Sequence, residues 1–495
     1  MVKYRTDPRN ILRSVDIVTQ VMVKAAHRYD GLFPAVAERH VGRVLMDFPL
    51  PPAIPGQRNS DRAPRGCNLQ HDIPLLEMLD GLDKALGRKR YTLQREAYLR
   101  TFATVCAAAS PTGLLPWGEH AFWDLQFGVI GNSYLLQYAD QPLDAGIPTH
   151  QQLFRLPFSQ WEIIHEANPE VLPRFVDGLD WHWMDEARTQ FNRHAQITQY
   201  IRGYQIKRHC RQTGVAPESV KGSDFPGASG MFIHDYACAL ALVDDPDPAW
   251  REALVRFSDS WWDRRLESGV CPKSGVMKAT AWNGVSLKQT LSLASSLLSA
   301  GKVLRAQDPD LAETCLSRGI SYVDAIFEFE QPDAEAGRLY SGYNPDGTPF
   351  AYSQLWAGNR GQPNTARCAI DLLNAADAAD NSKGIELVMR AARGYLESFI
   401  PRDVIVRAGD PGAVIALTGE MYRLTGDQVW LDAALQHATD AMELYFDCPL
   451  PRMSTGRKHY ESQQGSSALV HALARLVLIA EGRECVGGLA RPMVQ

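Results

Sequence analysis

Residues 464–481 read QGSSALVHALARLVLIAE, and this stretch decides the fold class. Its apolar residues recur at the 3.6-residue spacing of a helix, so that Leu469, Leu473, Leu476 and Ile479 fall on one stripe. A helix with one apolar stripe buries that stripe against other elements. The segment therefore predicts an amphipathic helix in a layered helical fold.

The same periodicity fills the second half of the chain, whereas few segments alternate with the period of two that is typical of strands. The other segments with helical periodicity are 284–306, 311–328, 366–379, 384–399, 411–425 and 428–446. Pro309 and Gly426 stand between consecutive segments, at positions where helices commonly begin or end. We expect pairs of helices joined by short connections.

A succession of helical hairpins forms either an open α-solenoid or a closed α/α barrel. No fixed-length repeat is visible, and the loops are long, irregular and rich in aromatic residues, which favours the barrel. Residues 10–29 and 34–47 also have helical character, but two helices are too few for a separate domain. Residues 49–65 contain five prolines and predict a long loop over the barrel mouth. The prediction is an all-α fold, a single α/α-barrel catalytic domain over residues 1–495 with few short strands.

The composition is that of an ordinary globular protein, with 45% hydrophobic and 22% charged residues. The chain has 57 acidic and 51 basic residues and a net charge of −6, which argues against a general nucleic-acid-binding surface. Prolines and glycines interrupt the long uncharged stretch 101–118, so we expect no membrane span. The first 16 residues carry charges where a secretory signal needs an apolar core, which predicts a cytoplasmic protein. The nine cysteines are scattered without a C-x-x-C pair and are expected to be reduced thiols.

Histidine and tryptophan concentrate in one part of the chain. Seven of the 13 histidines lie between residues 117 and 234, and five of the 11 tryptophans lie between 117 and 183. Imidazole groups bind ligands and transfer protons, and indole groups offer stacking surfaces. The combination predicts a binding cleft.

Two clusters in this region contain carboxylates beside aromatic residues. Residues 115–124 bring Trp117, Glu119 and His120 together, although a capped helix start explains the pattern equally well. Residues 161–166 place Glu162 and Glu166 four positions apart on one helix face, and a solvated charged face is the simpler reading there. The candidate residues of this second cluster are Trp161, His165 and Glu166.

Two further clusters complete the candidate site. Asn192, Arg193 and His194 follow one another, so that a fixed cation stands beside a metal ligand or proton carrier, unless the three simply lie on the surface. Residues 340–352 form an aromatic loop that suits either sugar stacking or a packed turn. The candidate substrate contacts from these parts of the chain are Asn192, Trp183, Tyr343 and Tyr352.

Residues 110–200 resemble the pectate lyases of polysaccharide lyase family 2. The resemblance rests on Trp117-Gly-Glu-His120, on Trp161-Glu162 with Asn168-Pro169-Glu170, and on Asn192-Arg-His194. It implies an α/α barrel, an acidic polysaccharide or oligosaccharide as substrate, and a divalent metal, often manganese, held by two histidines and one glutamate. By this resemblance His120 and His194 are metal ligands, and Arg193 is the base.

One element departs from the family pattern. Where the family has a His-Glu-Leu motif that supplies the carboxylate ligand, this chain reads His150-Gln-Gln-Leu153, which puts Gln152 in the ligand position. A hard cation such as Mn²⁺ or Ca²⁺ prefers anionic oxygen, so the change predicts weakened metal binding.

The chemistry of the residues leaves the reaction open. Removal of the proton next to a uronate carboxylate needs cations for the carboxylate and a base. Arginine is normally protonated, so His165 and Tyr340 are the other candidate catalytic residues. A glycoside hydrolase would instead use two carboxylic acids, for which Glu119 and Glu166 are the candidates. A helical sugar-binding or scaffold protein is the non-enzymatic alternative.

Overall fold

A computed structural model describes residues 7–45, 51–57, 62–109, 121–132, 226–273, 284–344, 346–357 and 361–493. These residues form twelve α-helices: α1 (Pro8–Ala26), α2 (Leu69–Ala85), α3 (Thr92–Ala109), α4 (Pro226–Leu242), α5 (Pro248–Trp262), α6 (Leu287–Leu304), α7 (Pro309–Phe327), α8 (Thr365–Ala378), α9 (Ser382–Arg393), α10 (Gly409–Thr425), α11 (Gln428–Tyr445) and α12 (Ser466–Ala480). The predicted helices of the second half are thereby confirmed, with ends that shift by a few residues.

The strands in these residues are short and belong to the connections. They are β1 (Val36–Ala37), β2 (Ala121–Asp124), β3 (Val129–Asn132), β4 (Val285–Ser286), β5 (Tyr340–Tyr343), β6 (Pro349–Tyr352) and β7 (Tyr460–Glu461). They pair antiparallel as β1 with β7, β2 with β3, and β4 with β5 with β6. The prediction of a helical fold with few short strands is confirmed.

The prediction of a helix over residues 34–47 was wrong. Residues 36–37 form β1, and the chain then turns. The carboxylate of Glu38 accepts hydrogen bonds from the backbone N–H groups of His40 and Val41, and Gly42 has a φ of +68°. A side chain that bonds its own backbone in this way replaces the helical hydrogen bonds, and the periodicity of apolar residues does not reveal it.

Many helices begin at a local capping signal in the sequence. Asp7, Asp247 and Asp308 each accept a hydrogen bond from a backbone N–H of the first turn, with proline as the next residue. Gly426 ends α10 in the left-handed conformation, and Asp427 caps α11 directly after it. Proline at the first helical position and glycine just past the last one are the expected punctuation of helical hairpins.

The helices are arranged in two layers. Contacts run between successive even-numbered helices from α4 onward, α4 to α6, α6 to α8, α8 to α10 and α10 to α12, and then from α12 to α2. Odd-numbered helices pack against the even-numbered ones from outside, for example α5 on α4 and α11 on α10. Alternating inner and outer helices, with the last inner helix against the first, are the arrangement of an α/α barrel.

Small residues allow the inner helices α10 and α12 to pack closely. A Cβ atom added at Gly412 would lie 2.9 Å from the Cα of Leu469 on α12. Nearly every residue of both helices is buried. One hydrophobic cluster extends through these helices and also contains Ile11 of α1 and Leu489 near the other end of the chain.

The proline-rich segment is tied to the start of α12. The described parts, residues 51–57 and 62–65, contain no helix, as predicted for this loop. The guanidinium of Arg62 donates to both carboxylate oxygens of Glu461, at 3.2 and 2.8 Å, and both side chains are fully buried. His459 contacts the same carboxylate at 3.0 Å. Arg62 and His459 hold the pKa of Glu461 at about 2, although burial acts in the opposite direction.

Within the described part of the chain, no helix is long and apolar enough to cross a membrane. Among the same described residues, no two cysteines are joined by a disulfide bond.

Candidate functional site

Most of the predicted site residues lie outside the described residues. These are Trp117, Glu119, His120, Gln152, Trp161, His165, Glu166, Trp183, Asn192, Arg193 and His194. The roles assigned to them stay predictions. Among the residues that the structure does describe, no group of three His, Cys, Asp or Glu side chains could hold a metal ion.

The three predicted tyrosines are described and occupy different environments. Tyr340 lines a cavity of about 510 Å³. Tyr343 is only 4% exposed, and its hydroxyl donates to the carbonyl oxygen of Glu330, so it packs in the core beside the cavity. Tyr352 is 41% exposed and packs its ring against Tyr340, with ring centroids 5.8 Å apart.

The cavity that Tyr340 lines is called here the amino-end cavity, because the amino-terminal ends of α6 and α8 form its walls. Leu287, Leu291 and Leu372 contribute apolar side chains. Its polar lining comes from Lys288, Gln331, Tyr340, Ser341, Gln362, Arg367, Cys368, Asp371 and Arg407. Helix amino termini and three cationic side chains on one cavity favour an anionic ligand.

Two of the three cations are held by a buried carboxylate. Asp410, at the start of α10, is fully buried, and its Oδ1 lies 3.0 Å from Arg407 Nη2 and 3.2 Å from Arg367 Nε. Lys288 is exposed and adds a third positive charge. With Asp371 ionised, three cations face two carboxylates, 3 − 2 = +1, so this group carries a net positive charge.

Asp371 is the carboxyl group that lines this cavity. Its side chain is accessible to the solvent of the cavity, while protein atoms surround the cavity on several sides. This partial desolvation raises the pKa of Asp371 to about 6, although Lys288 and Arg367 act in the opposite direction. A carboxyl group that titrates near neutral pH can both accept and donate a proton.

An aromatic patch lies at the edge of the amino-end cavity. The rings of Tyr340 and Tyr352 are in edge-to-face contact, and the guanidinium of Arg338 lies 4.6 Å from the Tyr352 ring centroid. The Tyr340 hydroxyl donates to Asp333 at 2.5 Å, and this hydrogen bond raises the pKa of Tyr340. Tyr340 therefore stays protonated at neutral pH, which suits a hydrogen-bond or proton donor better than a base.

The charged residues of this cavity were not among the site residues predicted from the sequence. Arg367 and Asp371 stand four positions apart in the predicted helix 366–379, and Lys288 lies in the predicted helix 284–306. Charged residues in helices made mostly of apolar or small residues could have indicated site residues in a barrel. Their convergence with Arg407 depends on the fold, because these residues are distant in sequence.

No protein-family model matches the chain, and no curated protein sequence does. Solved structures with similar folds include a D-mannose isomerase (10% identity, 65% of this chain and 85% of that chain covered, TM-score 0.41). An unsaturated glucuronyl hydrolase specific for heparin shares 10% identity over 83% of this chain and 98% of its own, with a TM-score of 0.40. The unsaturated glucuronyl hydrolase of Bacillus sp. GL1 shares 13% identity over 72% and 94%, with a TM-score of 0.37. The specific resemblance to pectate lyases gains no support from these structures.

Proposed function

We propose that the chain is an enzyme that cleaves uronic-acid-containing glycans by β-elimination in the amino-end cavity. The observation that carries the proposal is the convergence of Lys288, Arg367 and Arg407 with Asp371 on one cavity. The cations suit the carboxylate of a uronic acid unit, and Asp371 suits proton transfer beside it. The Tyr340 and Tyr352 patch offers a stacking surface for a sugar ring at the edge.

The reaction assigns a task to each of these groups. Asp371 removes the proton on the carbon next to the uronate carboxylate, and negative charge then builds on the carboxylate oxygens. Lys288 and Arg367 stabilise that charge. The electron pair of the broken C–H bond forms a carbon–carbon double bond, and the glycosidic C–O bond breaks. The Tyr340 hydroxyl, released from its hydrogen bond with Asp333, gives its proton to the leaving oxygen.

The metal-assisted form of this reaction remains a separate proposal. In it His120, His194 and Gln152 hold a divalent cation, and Arg193 takes the place of Asp371 as the base. The expected weakness of a Gln152 ligand predicts a metal that is lost on dialysis and restored by added Mn²⁺.

Hydrolysis of the same class of glycan is the second candidate. A hydrolase needs a protonated carboxylic acid and a second carboxylate. Asp371, whose pKa is raised, suits the acid. Asp410 is fully buried and paired with Arg367 and Arg407, so the second carboxylate has to come from another part of the chain. The Glu119 and Glu166 pair lies outside the described residues.

An assay on a panel of uronic-acid-containing oligosaccharides separates these functions. A lyase raises ultraviolet absorbance through the new double bond, and a hydrolase raises reducing ends without that absorbance. Each reaction is run with added Mn²⁺ and with a chelator. We expect an absorbance increase that survives the chelator, because Asp371 and the cations act without metal. Dependence on Mn²⁺ would favour the metal-assisted form. Absence of both the absorbance increase and the new reducing ends would indicate a sugar-binding protein instead of an enzyme.

The role of Asp371 is tested by Asp371→Asn, which should lower kcat by roughly 10²–10⁴-fold. Glu386→Gln on the exposed side of α9 is the matched control and should retain full activity. For a lyase, kcat/KM rises as the pH increases through about 6, because the base must be ionised. For a hydrolase that uses Asp371 as the acid, kcat/KM falls over the same range. A full-activity Asp371→Asn protein would contradict both.

A further inference from the structure

A second cavity lies toward the opposite end of the inner helices and shares Asp371 with the first. This carboxyl-end cavity, of about 310 Å³, lies between the carboxyl-terminal halves of α6, α8 and α10. Asp371 lines it and the amino-end cavity as well. Lys288 lines the first cavity and Lys302 the second, and they are 14 residues apart on α6, so the two cavities together span roughly 21 Å of this helix.

The two cavities differ in charge. Counting only the side chains that line each cavity, the amino-end cavity has three cations and one carboxyl, 3 − 1 = +2. The carboxyl-end cavity is lined by three cations and three carboxyls, so its charges balance, 3 − 3 = 0. Its charged residues are Lys302, Arg423, Arg491, Asp371, Asp377 and Glu420. Glu420 is already paired, since it accepts from Arg423 Nε at 2.6 Å and forms a buried ion pair with Arg475.

Hydroxyl and amide groups supply the rest of the polar lining. Ser295 and Ser299 stand one helical turn apart on α6, and Asn374 faces the same cavity from α8. Such neutral groups donate and accept hydrogen bonds in the manner that sugar hydroxyls require.

We infer that the carboxyl-end cavity binds a neutral sugar unit of the same ligand whose uronic acid unit occupies the amino-end cavity. The inference rests on the proposed function and gives the substrate class as a mixed oligosaccharide, acidic on one side of the Asp371 side chain and neutral on the other. A glycan made only of uronic acid units would place a carboxylate where the charges are already balanced.

Calorimetric titration of the full chain tests this arrangement. The ligands are glucuronic acid, a trisaccharide with one terminal glucuronic acid and two neutral hexoses, trigalacturonic acid, and maltotriose. All titrations use the Tyr340→Phe background, which removes the proposed proton donor to suppress cleavage and leaves every charged residue of the carboxyl-end cavity in place. We expect the mixed trisaccharide to bind at least tenfold more tightly than glucuronic acid, and more tightly than trigalacturonic acid.

Ser299→Trp, which fills the carboxyl-end cavity, should lower the affinity for the mixed trisaccharide to that for glucuronic acid. The same variant should leave glucuronic acid affinity within twofold. Ser317→Trp on the exposed side of the outer helix α7 is the matched control and should change neither affinity. Asn374→Leu, which removes hydrogen bonds without filling the cavity, should weaken the mixed trisaccharide by several-fold and serves as the second variant if Ser299→Trp does not fold.

Unchanged binding of the mixed trisaccharide to both Ser299→Trp and Asn374→Leu would overturn the inference, and so would equal affinity for trigalacturonic acid. A failure of the proposed function has a different signature. In that case glucuronic acid would bind equally well to the parent protein and to a Lys288→Met variant. If maltotriose nevertheless binds, and Ser299→Trp abolishes that binding, the carboxyl-end cavity is still a site for neutral sugars.

Discussion

Asp72 is a carboxyl group that the fold removes completely from water, near the start of the inner helix α2. The Tyr98 hydroxyl donates to its Oδ2 at 2.7 Å, yet burial raises the pKa of Asp72 to about 7. The folded state therefore favours the protonated acid. Its contribution to stability is complete below the ordinary pKa near 4 and is lost as the pH rises through 7.

We expect the free energy of unfolding to fall by about 2 kcal/mol between pH 5 and pH 7 on account of this one group. Asp72→Asn should remove most of that decline, because the amide has no proton to lose. Urea unfolding at several pH values measures it, and Asp403→Asn at an exposed position is the control that should keep the wild-type slope. A slope equal in the two variants would show that Asp72 is ionised in the folded protein.

At the scale of elements, Gly412 and Gly419 of α10 differ in how closely α12 approaches them. A Cβ at Gly412 would lie 2.9 Å from the Cα and 3.0 Å from the backbone N of Leu469. These backbone atoms cannot move unless α12 shifts. A Cβ at Gly419 would meet only the end of the Ile479 side chain, at 3.4 Å. Alanine is favoured over glycine in helices by up to about 1 kcal/mol.

Gly412→Ala should therefore destabilise the protein by about 1–3 kcal/mol through overpacking. Gly419→Ala should be neutral or stabilising by up to about 1 kcal/mol, and it serves as the matched control. Thermal and urea unfolding of the two variants give the comparison. Equal effects would mean that α10 and α12 are farther apart than described.

Helix positions were predictable because the apolar period and the capping residues lie within each segment, as at Asp308 with Pro309. The conformation of residues 34–47 was not predictable in this way, because the Glu38 carboxylate binds nearby backbone N–H groups that a helix would use. The amino-end cavity was not either, because Lys288, Arg367 and Arg407 belong to separate elements that only the barrel brings together. The Trp and His clusters between 117 and 194 and the single-domain assignment stay predictions.

At the scale of the whole molecule, the first helix is part of the same core as the last. Ile11 of α1 is fully buried in the central cluster, and α1 packs on α12, whereas Ile17 of the same helix is 38% exposed. Ile11→Ala should cost about 2–5 kcal/mol, and Ile17→Ala less than about 0.5 kcal/mol.

The location of the Ile11→Ala effect is the more informative measurement. If α1 and α12 unfold together, Ile11→Ala should speed up amide hydrogen exchange of residues 469–479. The increase should equal the increase in the global unfolding equilibrium constant. Unchanged protection of α12 in a destabilised Ile11→Ala protein would show that α1 unfolds on its own.

The ion pair between Arg62 and Glu461 joins residues 399 positions apart, and β1 pairs with β7 over a similar separation. During synthesis at about 5–20 residues per second, roughly 20–80 s pass between the synthesis of Arg62 and that of Glu461. The face of α2 that packs against α12 lacks its partner for a similar time. Loop closure over such a distance is slow, so the amino-terminal segment is synthesised first and completes its folding last. During that interval the unpaired face of α2 is an apolar surface open to aggregation, and the nascent chain is a client for chaperones that cover such surfaces.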